Sequence, residues 1–401
     1  MPEIKPEIET IAKIKVIGVG GSGGSAINRM IATKIKGVEF IAVNTDLQAL
    51  HHNDAKIKLH IGQKATRGLG AGMDPEAGFA AAQESINEIR DLLKGADMVF
   101  ITCGLGGGTG TGASPIIAQV AREMGALVVA VVTKPFAFEG AQRLAIADRG
   151  IRELRDRVDT IITIPNEKIL QIIDKKTSLL DAFKTVDDVL RQGIQGISEI
   201  ITIPALINVD FADIKTIMKD AGSALMSIGE GTGENKAVSA AKAAVSSPLL
   251  DVSIDGARGV LFVIYGGPGL TMTEVNEAAQ IITESVDENA KIIFGAVIDE
   301  AMKDRIKITL VATGFGESDN KRIINEPPRY SLNRLFSERK ISSEPAEREA
   351  RPLKAQPREN QDEESSARPQ IQSASPLMRP KPAVSDEEDL EIPAFIRKKM
   401  K

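Results

Sequence analysis

Tryptophan is absent from this 401-residue chain, aromatic residues make up 3% of it, and it has one cysteine, Cys103. So few aromatic side chains leave no stacking platform for single-stranded nucleic acid. A net charge of -5 argues in the same direction, so nucleic acid is not expected as a partner. One cysteine cannot close an intrachain disulfide and suits a reducing compartment. The three histidines all fall between His51 and His60 and make no metal site with that lone thiol. No run approaches the roughly 20 apolar residues that cross a bilayer. A charged-then-apolar leader is also missing, so a cytoplasmic location without direct membrane insertion is expected. The Walker pattern G-x-x-x-x-G-K-[ST] is lacking as well, which removes ordinary P-loop nucleotide binding. With 42% hydrophobic residues, the chain can still bury a large core spread over two or three domains.

The first half alternates short Val/Ile-rich runs with helical patterns. Strands are predicted at 14–19, 39–44, 56–61, 98–102, 127–132 and 160–164, with helices at 75–93, 113–124 and 140–158. This alternation predicts an α/β fold with a doubly wound, Rossmann-like parallel sheet, whose strands are apolar throughout because both faces are covered. A long amphipathic helix follows over 178–201. Leu179, Phe183, Val186, Leu190, Ile194, Ile197 and Ile201 make one stripe at about 100° per residue, with polar residues opposite. Asp187 interrupts the apolar stripe, where a lone carboxylate is costly unless something pairs with it. Beyond it, strands at 223–229, 259–265, 290–298 and 305–313, with helices at 235–245 and 271–286, predict a second, α+β domain.

Two glycine-rich segments carry the chemistry. Gly18-x-Gly20-x-x-Gly23 satisfies the dinucleotide fingerprint, with Asp46 some distance on, so a nicotinamide-dependent oxidoreductase is a rival reading. The run Gly106-Gly107-Gly108-Thr109-Gly110-Thr111-Gly112, between a strand and a helix, can turn backbone N–H groups toward an anion. A dinucleotide needs one pyrophosphate cradle, whereas two cradles suit a triphosphate better. Gly68-Leu69-Gly70-Ala71-Gly72-Met73-Asp74-Pro75 and Pro135-Phe136-Ala137-Phe138-Glu139-Gly140, with Arg143 after it, complete the set.

These segments, in this order, resemble the tubulin/FtsZ superfamily, and the glycine-threonine-glycine ending of the second loop is most similar to the FtsZ family. The resemblance covers 11–316 and a short tail. It implies a bacterial-type, tubulin-like GTPase that binds GTP or GDP, with Mg²⁺ expected alongside the triphosphate. By the same resemblance Gly21, Ser22, Gly23 and Gly24, with Gly108, Thr109 and Gly110, hold phosphates through backbone N–H, and Ala71 and Gly72 lie near the terminal phosphate. Glu139 and Arg143 flank the ribose, Asn166 meets the base, and Arg29, Asn44, Asp46, Gly106, Gly107 and Phe183 complete the nucleotide shell. Asp46 is the one candidate acid near the metal. Asp187 gains an explanation, since a carboxylate accepts two hydrogen bonds from the guanine edge that adenine cannot supply, and such a site can discriminate by roughly 10⁴. Ser25 stands where family members commonly carry asparagine; it caps a helix equally well but reaches less far.

Read without the resemblance, Asp210 and Asp213 are a helix N-cap and a first-turn acid. With it, they and Asn208 enter the nucleotide pocket of the next subunit and complete hydrolysis there. A head-to-tail contact of that kind builds open filaments, so the first expected partner is a second copy of this chain. A filament protein that binds nucleotide without turning it over is the other alternative.

The expected organisation is an arm at 1–12, a GTP-binding domain at 13–177, a central helix at 178–203 and an α+β domain with the catalytic loop at 204–316. The Pro-rich, mixed-charge stretch 317–385 reads as a disordered linker, and 386–401 as a partner-binding peptide. Its apolar core, Leu390-Glu391-Ile392-Pro393-Ala394-Phe395-Ile396, suits a groove on another protein. The resemblance makes that protein a membrane-tethering or regulatory cell-division protein bound through 388–397.

Overall fold

The computed structural model describes residues 12–171, 173–174, 176–202, 207, 209–247 and 253–315. The expected arm, apart from Ala12, the linker, the tail peptide and Asn208 lie outside them.

The first strands are β1 (Ile14–Val19), β2 (Val38–Asn44), β3 (Ile57–His60), β4 (Met98–Gly104), β5 (Leu127–Lys134) and β6 (Thr160–Pro165). Between them lie α1 (Gly20–Ala32), α2 (Leu47–His51), α3 (Pro75–Glu84), α4 (Ile86–Leu93), α5 (Gly108–Glu123) and α6 (Ala141–Arg155). Then come α7 (Asn166–Ile169), α8 (Leu179–Thr202), α9 (Phe211–Met218), β7 (Gly222–Thr232) and α10 (Lys236–Val245). The described residues end with β8 (Gly259–Gly266), α11 (Met272–Thr283), β9 (Lys291–Ile298) and β10 (Arg305–Thr313).

All ten strands join one mixed sheet in the order β3-β2-β1-β4-β5-β6-β7-β10-β8-β9. The first seven in this order are parallel, as the alternating pattern predicts, and only β10 runs antiparallel to its neighbours β7 and β8. The two halves of the sheet meet where Thr160, Ile161 and Ile162 pair with Gly222, Ser223 and Ala224.

One apolar cluster sits under α1, α8 and α9, and another lies on the opposite face under α3, α4, α5 and α6. A third fills the space between α10, α11 and β7–β10. Helix α8, about 36 Å long at 1.5 Å per residue, lies on the first cluster. Glycines let it come close: a Cβ on Gly193 would lie 2.7 Å from the Met226 sulfur, and one on Gly196 2.8 Å from Thr309. The helix ends at Thr202, which sits against Gly37 just before β2 and so at the N-terminal edge of the parallel strands.

Two predicted elements differ. The pattern at 75–93 reads as one helix, but the chain bends at Ser85 and makes two. Helix α5 begins at Gly108 rather than at 113, so five of the seven residues Gly106–Gly112 are helix. Those glycines serve packing: a Cβ on Gly112 would meet the Pro75 carbonyl oxygen at 2.0 Å, and one on Gly108 the Ala71 oxygen at 2.6 Å.

Candidate functional site: a nucleotide cleft

At the carboxyl ends of β1, β4, β5 and β6 the chain leaves a cleft of about 260 Å³. Open parallel sheets bind ligands at this edge. One end is lined by Gly20, Gly21 and Ser22 from the start of α1 and by Gly107, Gly108, Thr109 and Gly110 from the start of α5. Among the described residues, no cationic side chain lines that end. Two helix N-termini converge there instead, each with unpaired N–H groups and the positive end of its dipole.

Side-chain hydroxyls fix the shape of this backbone. Ser22 Oγ accepts from Gly104 N–H at 2.6 Å, Thr111 Oγ1 accepts from Gly106 N–H at 3.0 Å, and Ser114 donates to the Gly110 carbonyl at 2.6 Å. Gly108 N–H is already donated to the Gly72 carbonyl at 2.8 Å. The donors that α5 keeps for a ligand are therefore those of Gly107, Thr109 and Gly110.

The other end is lined by Glu139, Arg143, Asn166, Phe183, Val186, Asp187 and Leu190. Glu139 and Arg143 form an ion pair one turn apart, and Glu139 also accepts from Phe136 N–H at 2.9 Å. Phe183 meets Phe136 edge-on with centroids 5.5 Å apart, which steadies a ring that is otherwise 40% exposed. Asn166 is 5% exposed and its side-chain oxygen has no hydrogen-bond partner among the described residues. A buried polar atom left unpaired is costly, and in a cleft it marks where a ligand group fits.

Asp187, half-buried, lines the same end. Burial lifts its carboxyl from the ordinary 3.8 to about 6; Arg29 draws it down and Asp188 pushes it up. The alternative of a direct ion pair does not hold among the described residues. Arg29 bonds Asp188 instead, at 3.8 Å, and Asp188 also takes Arg191 at 2.7 Å and Gln192 at 2.6 Å. Asp188 has its partners; Asp187 lines the cleft without one among the described residues.

Several expected site residues are elsewhere. Gly23 and Gly24 do not line this cleft, because their N–H groups fall inside the α1 hydrogen-bond ladder; Gly23 packs against the Thr102 carbonyl. The donors at that position are Gly20, Gly21 and Ser22. Ser25 and Asn44 line an adjoining cavity that shares Gly20 and Gly21 with the cleft. Ser25 is not a helix cap but lies within α1, which begins at Gly20, and bonds the Gly21 carbonyl, while Asn44 holds the Thr45 and Asp46 amides. Ala71 and Gly106 sit behind the lining as supports. Arg29 acts on Asp187 from outside the cleft. Asp210 and Asp213 are exposed at the start of α9 and line no part of it. Thr133, Val186 and Leu190 also line the cleft and carry no signal in the sequence, since they reach it only through converging strand ends and the tilt of α8.

A protein-held Mg²⁺ does not fit these residues. No group of three metal-ligating side chains exists among the described residues. Asp46 lies outside the cleft lining and caps α2, accepting from Gln48 and Ala49 N–H at 2.8 and 3.1 Å.

Residues 13–174 match the Tubulin/FtsZ family GTPase domain, and 222–316 match the FtsZ family C-terminal domain. An empty FtsZ dimer from M. jannaschii is 46% identical, with 77% of this chain and 89% of that one covered at a TM-score of 0.74. The chain belongs to the FtsZ family. A point mutant of the M. jannaschii FtsZ is likewise 46% identical over 76% of this chain and 92% of that one, TM-score 0.74. A GTPγS-bound protofilament of CetZ2 from Haloferax volcanii is 21% identical, covers 78% and 96%, and shares the fold at a TM-score of 0.66. The cleft thus belongs to an FtsZ-family GTPase domain, and the oxidoreductase alternative falls. The bacterial attribution is not carried by these matches. No helix among the described residues is long and apolar enough to cross a membrane.

Proposed function

We propose that this chain binds and hydrolyses GTP, and that it polymerises head to tail into filaments of the cytokinetic ring at the division site. The observation that carries it is a cleft with a phosphate end, a base end and, among the described residues, no group to direct water. Gly20, Gly21 and Ser22 with Gly107, Thr109 and Gly110 offer amides to the phosphates, Glu139 and Arg143 flank the ribose, and Asn166 and Asp187 read guanine. Phosphoryl transfer to water asks mainly for positioning and charge compensation. The candidates for that work, Asp210 and Asp213 with Asn208 nearby, follow the far end of α8 rather than the cleft. Head-to-tail stacking brings them to the nucleotide of the next subunit, so that hydrolysis and assembly are one coupled event. Any Mg²⁺ arrives with the triphosphate, held by phosphate and water.

The parts then divide as the sequence reading has them, with nucleotide binding in 13–177, the central helix at 178–203 and the trans-acting loop in 204–316. Residues 388–397 bind membrane-tethering partners, which hold the filament on the inner face of the cytoplasmic membrane. Cutting the chain before Asp386 should spare GTP hydrolysis and abolish that binding.

The test is GTPase rate against protein concentration. A threshold concentration is expected below which turnover stops; a rate per molecule that stays constant on dilution would refute the shared site. Asp210→Ala and Asp213→Ala should each bind GTP normally, lose assembly-stimulated hydrolysis and give longer-lived polymers.

A further inference from the structure

Thr45, the residue after β2, lines neither cavity beside α1 and is fully buried. Its hydroxyl lies 2.6 Å from that of Thr109, the second residue of α5, which does line the phosphate end of the cleft. The rest of Thr45 is held from two sides. Its N–H donates to Asn44 Oδ1 at 2.9 Å, and its carbonyl accepts from His60 Nε2 at 3.2 Å. Thr109 is hemmed in by Gly20, where a Cβ would lie 3.4 Å from the Thr109 Cβ.

Each hydroxyl brings one proton, and only one can lie between the two oxygens. The Thr45 oxygen has no other hydrogen-bond partner among the described residues. If Thr109 were the donor, the Thr45 proton would be buried and unpaired, which costs about 1–3 kcal/mol in general. Thr45 therefore donates. Thr109 accepts with a lone pair, and its own proton has no other acceptor among the described residues, on a residue that borders the cleft.

We propose that Thr45 is a positioning residue for nucleotide binding: by donating to Thr109 it turns the Thr109 O–H into a fixed donor to a phosphate oxygen. The inference rests on the GTP reading above and adds a side-chain donor with set polarity to a cradle otherwise made of amides. Hydrogen bonds to a charged acceptor are the strong ones.

The test is calorimetric titration of the full chain and its variants with GTP, GDP and guanosine. Thr45→Val keeps the shape and removes the proton. It should weaken GTP and GDP on the order of tenfold, leave guanosine unchanged, and be rescued by Thr45→Ser. Thr109→Val removes the same donor from the other side and should show the same split, which guards against a folding defect in the first variant. Parent-like GTP affinity in both valine variants would overturn the proposal. So would an equal loss for guanosine, which marks a merely structural role. A parent chain that bound guanosine but gained nothing from the phosphates would overturn the cradle as well, whereas one that bound no guanine ligand would sink the GTP reading itself.

Discussion

Asp187 is a carboxylate that the fold desolvates and leaves facing a cleft. Its proton is held more tightly in the folded chain than in the unfolded one. Without nucleotide, its contribution to stability is complete below 3.8 and is lost as pH rises through about 6. On the proposed reading GTP reverses the preference, because the guanine edge would donate to the ionised form. GTP affinity should therefore be flat above about pH 7 and fall as pH drops through about 6, with a proton released on binding in that window. Titration calorimetry at several pH values reads both effects, and Asp187→Asn should abolish the pH dependence between about 4 and 7. Asp187→Ala should weaken GTP and erode its preference over ATP, by up to roughly 10⁴ in the ratio. Selectivity left intact would remove Asp187 from the base end and leave Asn166 as the only reader there among the described residues.

At the scale of elements, α3 and α5 approach so closely that glycine alone fits between them. Gly112→Ala would gain up to about 1 kcal/mol of helix propensity. Its Cβ, however, would lie 2.0 Å from the Pro75 carbonyl oxygen and 2.6 Å from the Phe79 nitrogen, both backbone atoms that cannot swing aside. Overpacking of this kind costs about 1–3 kcal/mol or more. Net destabilisation of about 2 kcal/mol is expected in urea unfolding, and a variant as stable as the parent would show that α3 gives way. The same glycines explain what was and was not legible in the sequence. The strands β1–β6 were readable, though not their order in the sheet, because strands covered on both faces are continuous Val/Ile runs, as in Val128–Val132. Asp187 stood out because it broke a stripe. The start of α5 did not, since Gly108, Gly110 and Gly112 read as loop by propensity, and only contact with α3 makes them helix. Gly23 and Gly24 lie within α1 rather than in a loop for a related reason: the sequence does not mark where the hydrogen-bond ladder begins.

For the whole molecule, the decisive geometry is that α8 starts beside the cleft and ends at the opposite edge of the sheet, against Gly37. Asp210 and Asp213 follow from that end, so one chain offers a nucleotide at one edge and the acids after the other. A filament built head to tail then contains interfaces whose two halves come from different molecules, and the halves can be disabled separately. Asp213→Ala keeps a good cleft and lacks the acid; Asp187→Ala keeps the acid and has a poor cleft. Each alone should hydrolyse GTP slowly. Mixed in equal amounts, an Asp213→Ala subunit meets the intact acids of an Asp187→Ala neighbour at roughly one interface in four if they assemble at random. The mixture should therefore regain up to about that fraction of the parent rate. Additive rates, with no gain on mixing filaments that demonstrably co-assemble, would mean that the acids act within their own chain or not at all.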